Sequence, residues 1–82
     1  MPQGIMSRRN KEVIGKRLRE LLAKHEMKQR ELATIMNVEL ETINRIVNGR
    51  IGAGADLLIS ISDHFNVSLD WLTGRDKKRF DK

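Results

Sequence analysis

Few side chains in this sequence have the types and spacings that bond-making chemistry needs. His25 and His64 have no His or carboxylate partner at metal-ligand spacing, and the chain contains no cysteine, so no metal site is expected. Ser60, Ser62 and Ser68 sit in no strained elbow beside an evident base, and read as helix surface and a cap rather than nucleophiles. The run Arg50-Ile51-Gly52-Ala53-Gly54 follows a helical pattern, not a strand, and lacks a P-loop lysine; it is a link, not a phosphate cradle. What remains is a dense polar set between residues 28 and 50. It holds the amides of Gln29, Asn44 and Asn48, the Thr42 hydroxyl, and the guanidinium groups of Arg30, Arg45 and Arg50. Amides and hydroxyls can read base edges or bond phosphates, and guanidinium groups can fork onto either. This is recognition chemistry, so neither catalysis nor a cofactor is expected.

Two short elements must position that set. Leu32, Ala33, Met36, Val38, Ile43 and Ile46 recur at spacings that let two helices share one small core, and Asn37 falls where the chain turns. Residues 28–49 therefore have the spacing of a helix-turn-helix, whose second helix is a rod that fits the major groove of DNA. A helix from Asn10, as N-cap, to His25 is predicted to precede it, with Ile14, Leu18, Leu21 and Leu22 as its apolar stripe. The second helix spans Gln29 to Met36 without a Ser or Thr cap at Lys28. Asn37 is expected to be left-handed, and Val38 to plug the turn into the core. The third helix runs from Glu39 to Val47, buries Ile43 and Ile46, and stops at Asn48-Gly49. A fourth, Ala55 to Phe65, buries Leu57 or Leu58, Ile61 and Phe65. Ser68 caps a fifth, Leu69 to Thr73, which Gly74 ends. Asn66-Val67-Ser68 matches a glycosylation sequon but reads better as a helix stop followed by a cap. The fold class is all-α, with no repeat and no β alternation.

At 82 residues the chain makes one domain, too small to hold both a core and a deep catalytic cleft. Without cysteine, packing alone holds it, which suits a reducing cytoplasm. No signal-peptide run and no apolar stretch near the roughly 18 residues of a membrane span is present, so no membrane partner is expected. The formal charge of +5 is concentrated at the ends. Arg8, Arg9 and Lys11 precede the first acid, and Arg75, Lys77, Lys78, Arg79 and Lys82 outnumber Asp76 and Asp81, leaving the stretch between slightly negative. The expected organisation is a basic arm over 1–9, a helix-turn-helix domain over 10–74 and a basic tail over 75–82. Such tails can supply salt-dependent affinity for phosphates. Leu69, Trp71, Leu72 and Phe80 offer more apolar area than one short terminal helix needs, which marks Leu69, Trp71 and Phe80 as a candidate dimer interface.

Read together, IGKRLRELL, QRELATIMNV, TINRIVNGR and HFNVSLDWLTGR resemble, in order and at close to its spacings, the phage Cro/repressor-type helix-turn-helix family, also called the xenobiotic-response-element family. The resemblance covers about Ile14 to Gly74. It implies a five-helix bundle acting as a sequence-specific transcriptional regulator, commonly a homodimer on a palindromic operator in double-stranded DNA. By position, Lys28, Gln29 and Arg30 would begin the helix lying across the sugar-phosphate backbone. Leu40, Glu41, Thr42, Asn44 and Arg45 would meet base edges and nearby phosphates, and Asn48 with Arg50 would lie on the backbone-contacting loop.

The chain also departs from the family pattern. Glu39 stands at the usual Ser cap and Glu41 one turn into the third helix. Both carboxylates suit a helix N-terminus, and Glu41 can also accept from a cytosine amino group. Leu22 and Val47 stand where many relatives pair an Arg with a Glu, and are expected to pack together. Glu26 replaces a frequent Gly, and the loop over 51–53 lacks the usual Pro. The leading expectation is a dimeric repressor in a bacterial or phage-encoded, cytoplasmic and nucleoid-associated setting. The alternative is a protein-interaction module on the same fold, of antitoxin or anti-repressor type, using the acidic third helix and the Trp71 region.

Overall fold

The computed structural model describes residues 8–75, which form five helices and no strand: α1 (Arg8–Lys24), α2 (Gln29–Met36), α3 (Leu40–Val47), α4 (Ala55–Phe65) and α5 (Leu69–Thr73). Phe80 and most of the expected basic arm and tail lie outside the described residues. One core gathers the apolar stripes of all five helices. Ile14, Leu18, Leu21 and Leu22 enter it from α1, Leu32 and Ala33 from α2, and Ile43, Ile46 and Val47 from α3. Ala53 before α4, Leu58, Ile61 and Phe65 of α4 and Leu72 of α5 complete it. Leu58 rather than Leu57 is the buried member of that pair, and Leu57 is packed against the core from its edge. Met27, Met36, Val38 and Trp71 seal the rim.

The first helix begins earlier than the sequence suggests. Asn10 lies inside α1, which starts at Arg8, and α1 ends at Lys24, one residue short of His25. Contact with α5 accompanies this start. Arg9, Asn10 and Val13 line one recess with Asp70, Thr73 and Gly74 at the end of α5, so the first turn of α1 rests on the last turn of the fold.

All five helices end in the same way. A left-handed residue follows each one, and two main-chain hydrogen bonds close back over the last turn, in the Schellman arrangement. The left-handed residues are Glu26, Asn37, Gly49, Asn66 and Gly74, with φ between 52° and 80°. For α1 the Glu26 N–H donates to the Ala23 carbonyl at 3.2 Å and the Met27 N–H to Leu22 at 2.9 Å. For α2 the corresponding pair is Asn37 to Thr34 at 3.1 Å and Val38 to Ala33 at 3.0 Å. Gly49 and Arg50 close α3, Asn66 and Val67 close α4, and Gly74 and Arg75 close α5 in the same pattern. Asn66 is thus a helix stop, and Ser68 Oγ accepts from the Trp71 N–H at 3.0 Å as the cap of α5. The sequon-like triplet therefore has a complete structural use.

The orientation of α3 depends on one close approach. A Cβ added to Gly15 of α1 would lie 2.7 Å from the carbonyl oxygens of both Ile46 and Val47, closer than real Cβ atoms come. One turn further along α1, Arg19 Nη1 donates to the Val47 carbonyl at 2.6 Å. Leu22 and Val47 are both buried in the common core. Where many relatives are expected to pair two side chains, this chain joins a guanidinium on α1 to the main chain at the end of α3. That bond satisfies one of the four carbonyls a helix C-terminus leaves open.

Candidate nucleic-acid interface

The two helices that carry the polar set meet at a turn fixed by Asn37 and Val38. Lys28 precedes α2 in extended conformation, with φ −90° and ψ 156°. A lysine side chain has no acceptor, so it cannot cap the helix in the manner of Ser or Asp. Instead the reciprocal half of a capping box forms: the Lys28 N–H donates to Glu31 Oε1 at 2.7 Å. Gln29 opens α2 half-buried, and Arg30 stands exposed beside it.

α3 is the more strongly two-faced helix. Ile43 and Ile46 are fully buried and Val47 nearly so, and each buried aliphatic side chain contributes about 1.5–3 kcal/mol to holding the rod against the core. The opposite face presents Leu40, Glu41, Asn44 and Arg45 to solvent, with Thr42 half-buried. Leu40 is 40% exposed, an apolar side chain at the tip of the rod with no place in the core. Glu39 is the N-cap residue, in extended conformation, and its side chain makes no cap bond. Its carbonyl receives the Thr42 and Ile43 N–H groups. The carboxylate therefore acts on the helix start only through its charge, a contribution of about 0.3–1 kcal/mol.

Eight of the ten expected DNA-contacting residues fall into three groups. Asn44 Nδ2 donates to Gln29 Oε1 at 3.1 Å, and Asn48 Nδ2 donates to Asn44 Oδ1 at 3.2 Å, making a row of amides from the start of α2 to the end of α3. Arg45 Nη2 and Glu41 Oε2 form an exposed ion pair at 2.7 Å, one turn apart on α3. Arg30, Leu40 and Thr42 line a shallow recess together with Thr34, Val38 and Glu39. Lys28 and Arg50 join through the main chain only, Arg50 by donating its N–H to the Arg45 carbonyl at 2.9 Å.

Of the expected dimer residues, Leu69 and Trp71 line different recesses. Leu69 is 39% exposed and lines an apolar recess with Ala55, Leu58 and Ile59, where Ile59 is itself 45% exposed. Trp71 lines a different recess with Glu20, Leu21, Lys24 and Val67, and the Arg17 guanidinium lies 4.7 Å from its ring centroid. Phe80 lies outside the described residues. Sequence reading missed Ile59, whose place beside Leu69 depends on how α4 meets α5. It also missed Gly15 and Arg19, although an isolated Gly inside a helical pattern is a sign of close packing. Among the described residues no helix is long and apolar enough to cross a membrane.

Comparison with known proteins agrees with this geometry. A helix-turn-helix family model matches residues 18–72, about two thirds of the chain, and takes in both helices of the motif and their neighbours. Antitoxin PezA of Streptococcus pneumoniae serotype 4 is 32% identical over 65 residues, covering 79% of this chain and 41% of that protein. The chain thus spans about two fifths of the length of this relative. No solved structure gives a significant match. With five helices in the expected order, a turn closed by Asn37 and an exposed polar face on α3, the chain belongs to the Cro/repressor-type helix-turn-helix family of DNA-binding regulatory domains.

Proposed function

We propose that this protein is a sequence-specific transcriptional regulator, acting as a repressor, that lays α3 in the major groove of an operator. The exposed polar face of α3, tied across the turn to the first residue of α2, is the observation that carries this reading. Leu40, Glu41, Thr42 and Arg45 meet base edges, and Lys28, Gln29, Arg30, Asn48 and Arg50 meet the sugar-phosphate backbone, with Asn44 between the two sets. An apolar tip such as Leu40 suits a thymine methyl, and the Arg45 fork suits guanine. A homodimer joined through the exposed apolar surface around Leu69 places two α3 helices about 34 Å apart on one face of a palindromic site. The cytoplasm is its place of action.

A second reading is favoured by the similarity to an antitoxin and by the exposed acids Glu39 and Glu41. In it the same fold binds a partner protein through α3 and the Trp71 region. Selecting bound sequences from a random duplex pool, then titrating the winner at two salt concentrations, separates the two. The DNA reading expects a recurrent half-site, affinity that falls steeply with salt, and weaker binding with relaxed preference at one base pair in Arg45→Ala. Binding no tighter than about 10⁻⁴ M to any selected duplex would reject it.

A further inference from the structure

We propose that Asn44 is a positioning residue rather than a base reader: it orients the amides of Gln29 and Asn48 as a pair of donors for the phosphodiester backbone of duplex DNA. The inference rests on the DNA-binding reading above and assigns this position a different role from the one the family resemblance implies. A side-chain amide reads adenine by presenting its oxygen and its nitrogen outward together. Asn44 has both engaged within the protein. Its Nδ2 donates to Gln29 Oε1 at 3.1 Å, and its Oδ1 accepts from Asn48 Nδ2 at 3.2 Å.

What the row presents outward follows from donor counting. Gln29 has its oxygen occupied and keeps both N–H donors, while Asn48 has one N–H occupied and keeps the other. Asn44 keeps one N–H as well, so unspent donors run along the whole row, two on Gln29 and one each on Asn44 and Asn48. Phosphate oxygens accept and never donate, so such a row matches a backbone and carries no base information. Order is the other contribution of Asn44. A free glutamine side chain loses rotamer freedom when fixed, and holding it in place before binding removes part of that cost from association. Gln29 is half-buried at the first position of α2 and Asn48 caps α3, so one side chain sets the reach of both helices.

The test uses the full chain, the duplex selected from the random pool, and single-base variants of that duplex. Asn44→Ala is expected to fold and melt like the parent, because Asn44 is exposed and holds no core contact. It should weaken binding about five- to tenfold, equally on every duplex variant and with an unchanged salt slope, since neutral amides release no counterions. In a Gln29→Ala, Asn48→Ala background the same substitution should cost less than about twofold. Nuclear relaxation of the Gln29 side-chain NH₂ in the free protein supplies a readout independent of DNA: Asn44→Ala should increase its mobility. Relaxed preference at one base pair, a full loss retained in the double-variant background, no loss at all, or unchanged Gln29 mobility would each overturn the proposal. If the parent protein binds no duplex beyond non-specific levels, the DNA reading fails and this role fails with it. If the parent binds well and Asn44→Ala behaves as a base-reading variant, only the positioning role fails.

Discussion

Glu26 offers a direct test of the left-handed stops. It is the single one of the five that is neither Gly nor Asn, and its φ is 52°. A left-handed backbone brings an ordinary Cβ against the following carbonyl at about 1–2 kcal/mol, while glycine escapes that clash. Glycine also frees the unfolded chain, which returns about 0.4–1 kcal/mol. A second term adds to the first, because the Glu26 carboxylate stands just past the negative end of a 17-residue helix, worth about 0.3 kcal/mol at an exposed position. Glu26→Gly should therefore stabilise the domain by about 1 kcal/mol and raise Tm by about 4–8 °C. Glu26→Ala removes the charge and keeps the Cβ, so it should gain only about 1–2 °C. Glu26→Asn should fall between them, since asparagine tolerates positive φ. Thermal melts followed by far-ultraviolet circular dichroism order the four proteins. A Gly variant that melts no higher than the Ala variant would refute the backbone argument, because charge removal would then account for the whole gain.

Gly15→Ala should destabilise the fold. The steric cost of about 1–3 kcal/mol against the Ile46 and Val47 carbonyls exceeds the roughly 1 kcal/mol that alanine gains in helix propensity, and a lower urea midpoint would show it. Ser68→Ala removes the cap bond to the Trp71 N–H and should cost about 1 kcal/mol, read as a fall in urea midpoint at constant m. Glu41→Gln breaks an exposed pair worth less than about 0.5 kcal/mol, so Tm should hardly move. In the DNA-binding reading proposed above it also removes a negative charge from the face turned toward phosphates, so affinity for an unrelated duplex should rise about threefold in a low-salt anisotropy titration. An unchanged affinity would place Glu41 away from the DNA.

The helices were legible wherever the signal was local. Apolar stripes fixed the buried faces of α1 and α3, and Asn37, Gly49, Asn66 and Gly74 marked four of the five stops by residue type. The fifth was hidden because Glu26 adopts a backbone that its own type disfavours, held there by the Met27 N–H closing on Leu22. The early start of α1 was invisible for a different reason, since its first turn packs on the end of α5, about 60 residues away in the chain. The polar residues of the candidate interface were nameable from position, but their mutual bonds were not. Gln29 and Asn44 are 15 residues apart, and only the crossing of α2 over α3 brings their amides to 3.1 Å. Conversely, the separation of Leu69 from Trp71 was already implied by helical geometry, because residues two apart do not share a face.

The five Schellman closures also bear on how the chain reaches its fold. Each is made within six consecutive residues, so the point at which every helix ends is set by its own stretch of chain before any distant contact forms. Little loop entropy has to be surrendered before one helix finds the next, and turns that agree with the final topology leave few compact alternatives. A small helical domain ended in this way belongs with the proteins that assemble in microseconds to milliseconds. α3 is then remade quickly after each unfolding, and thermal excursions leave only brief gaps in occupancy of the folded state.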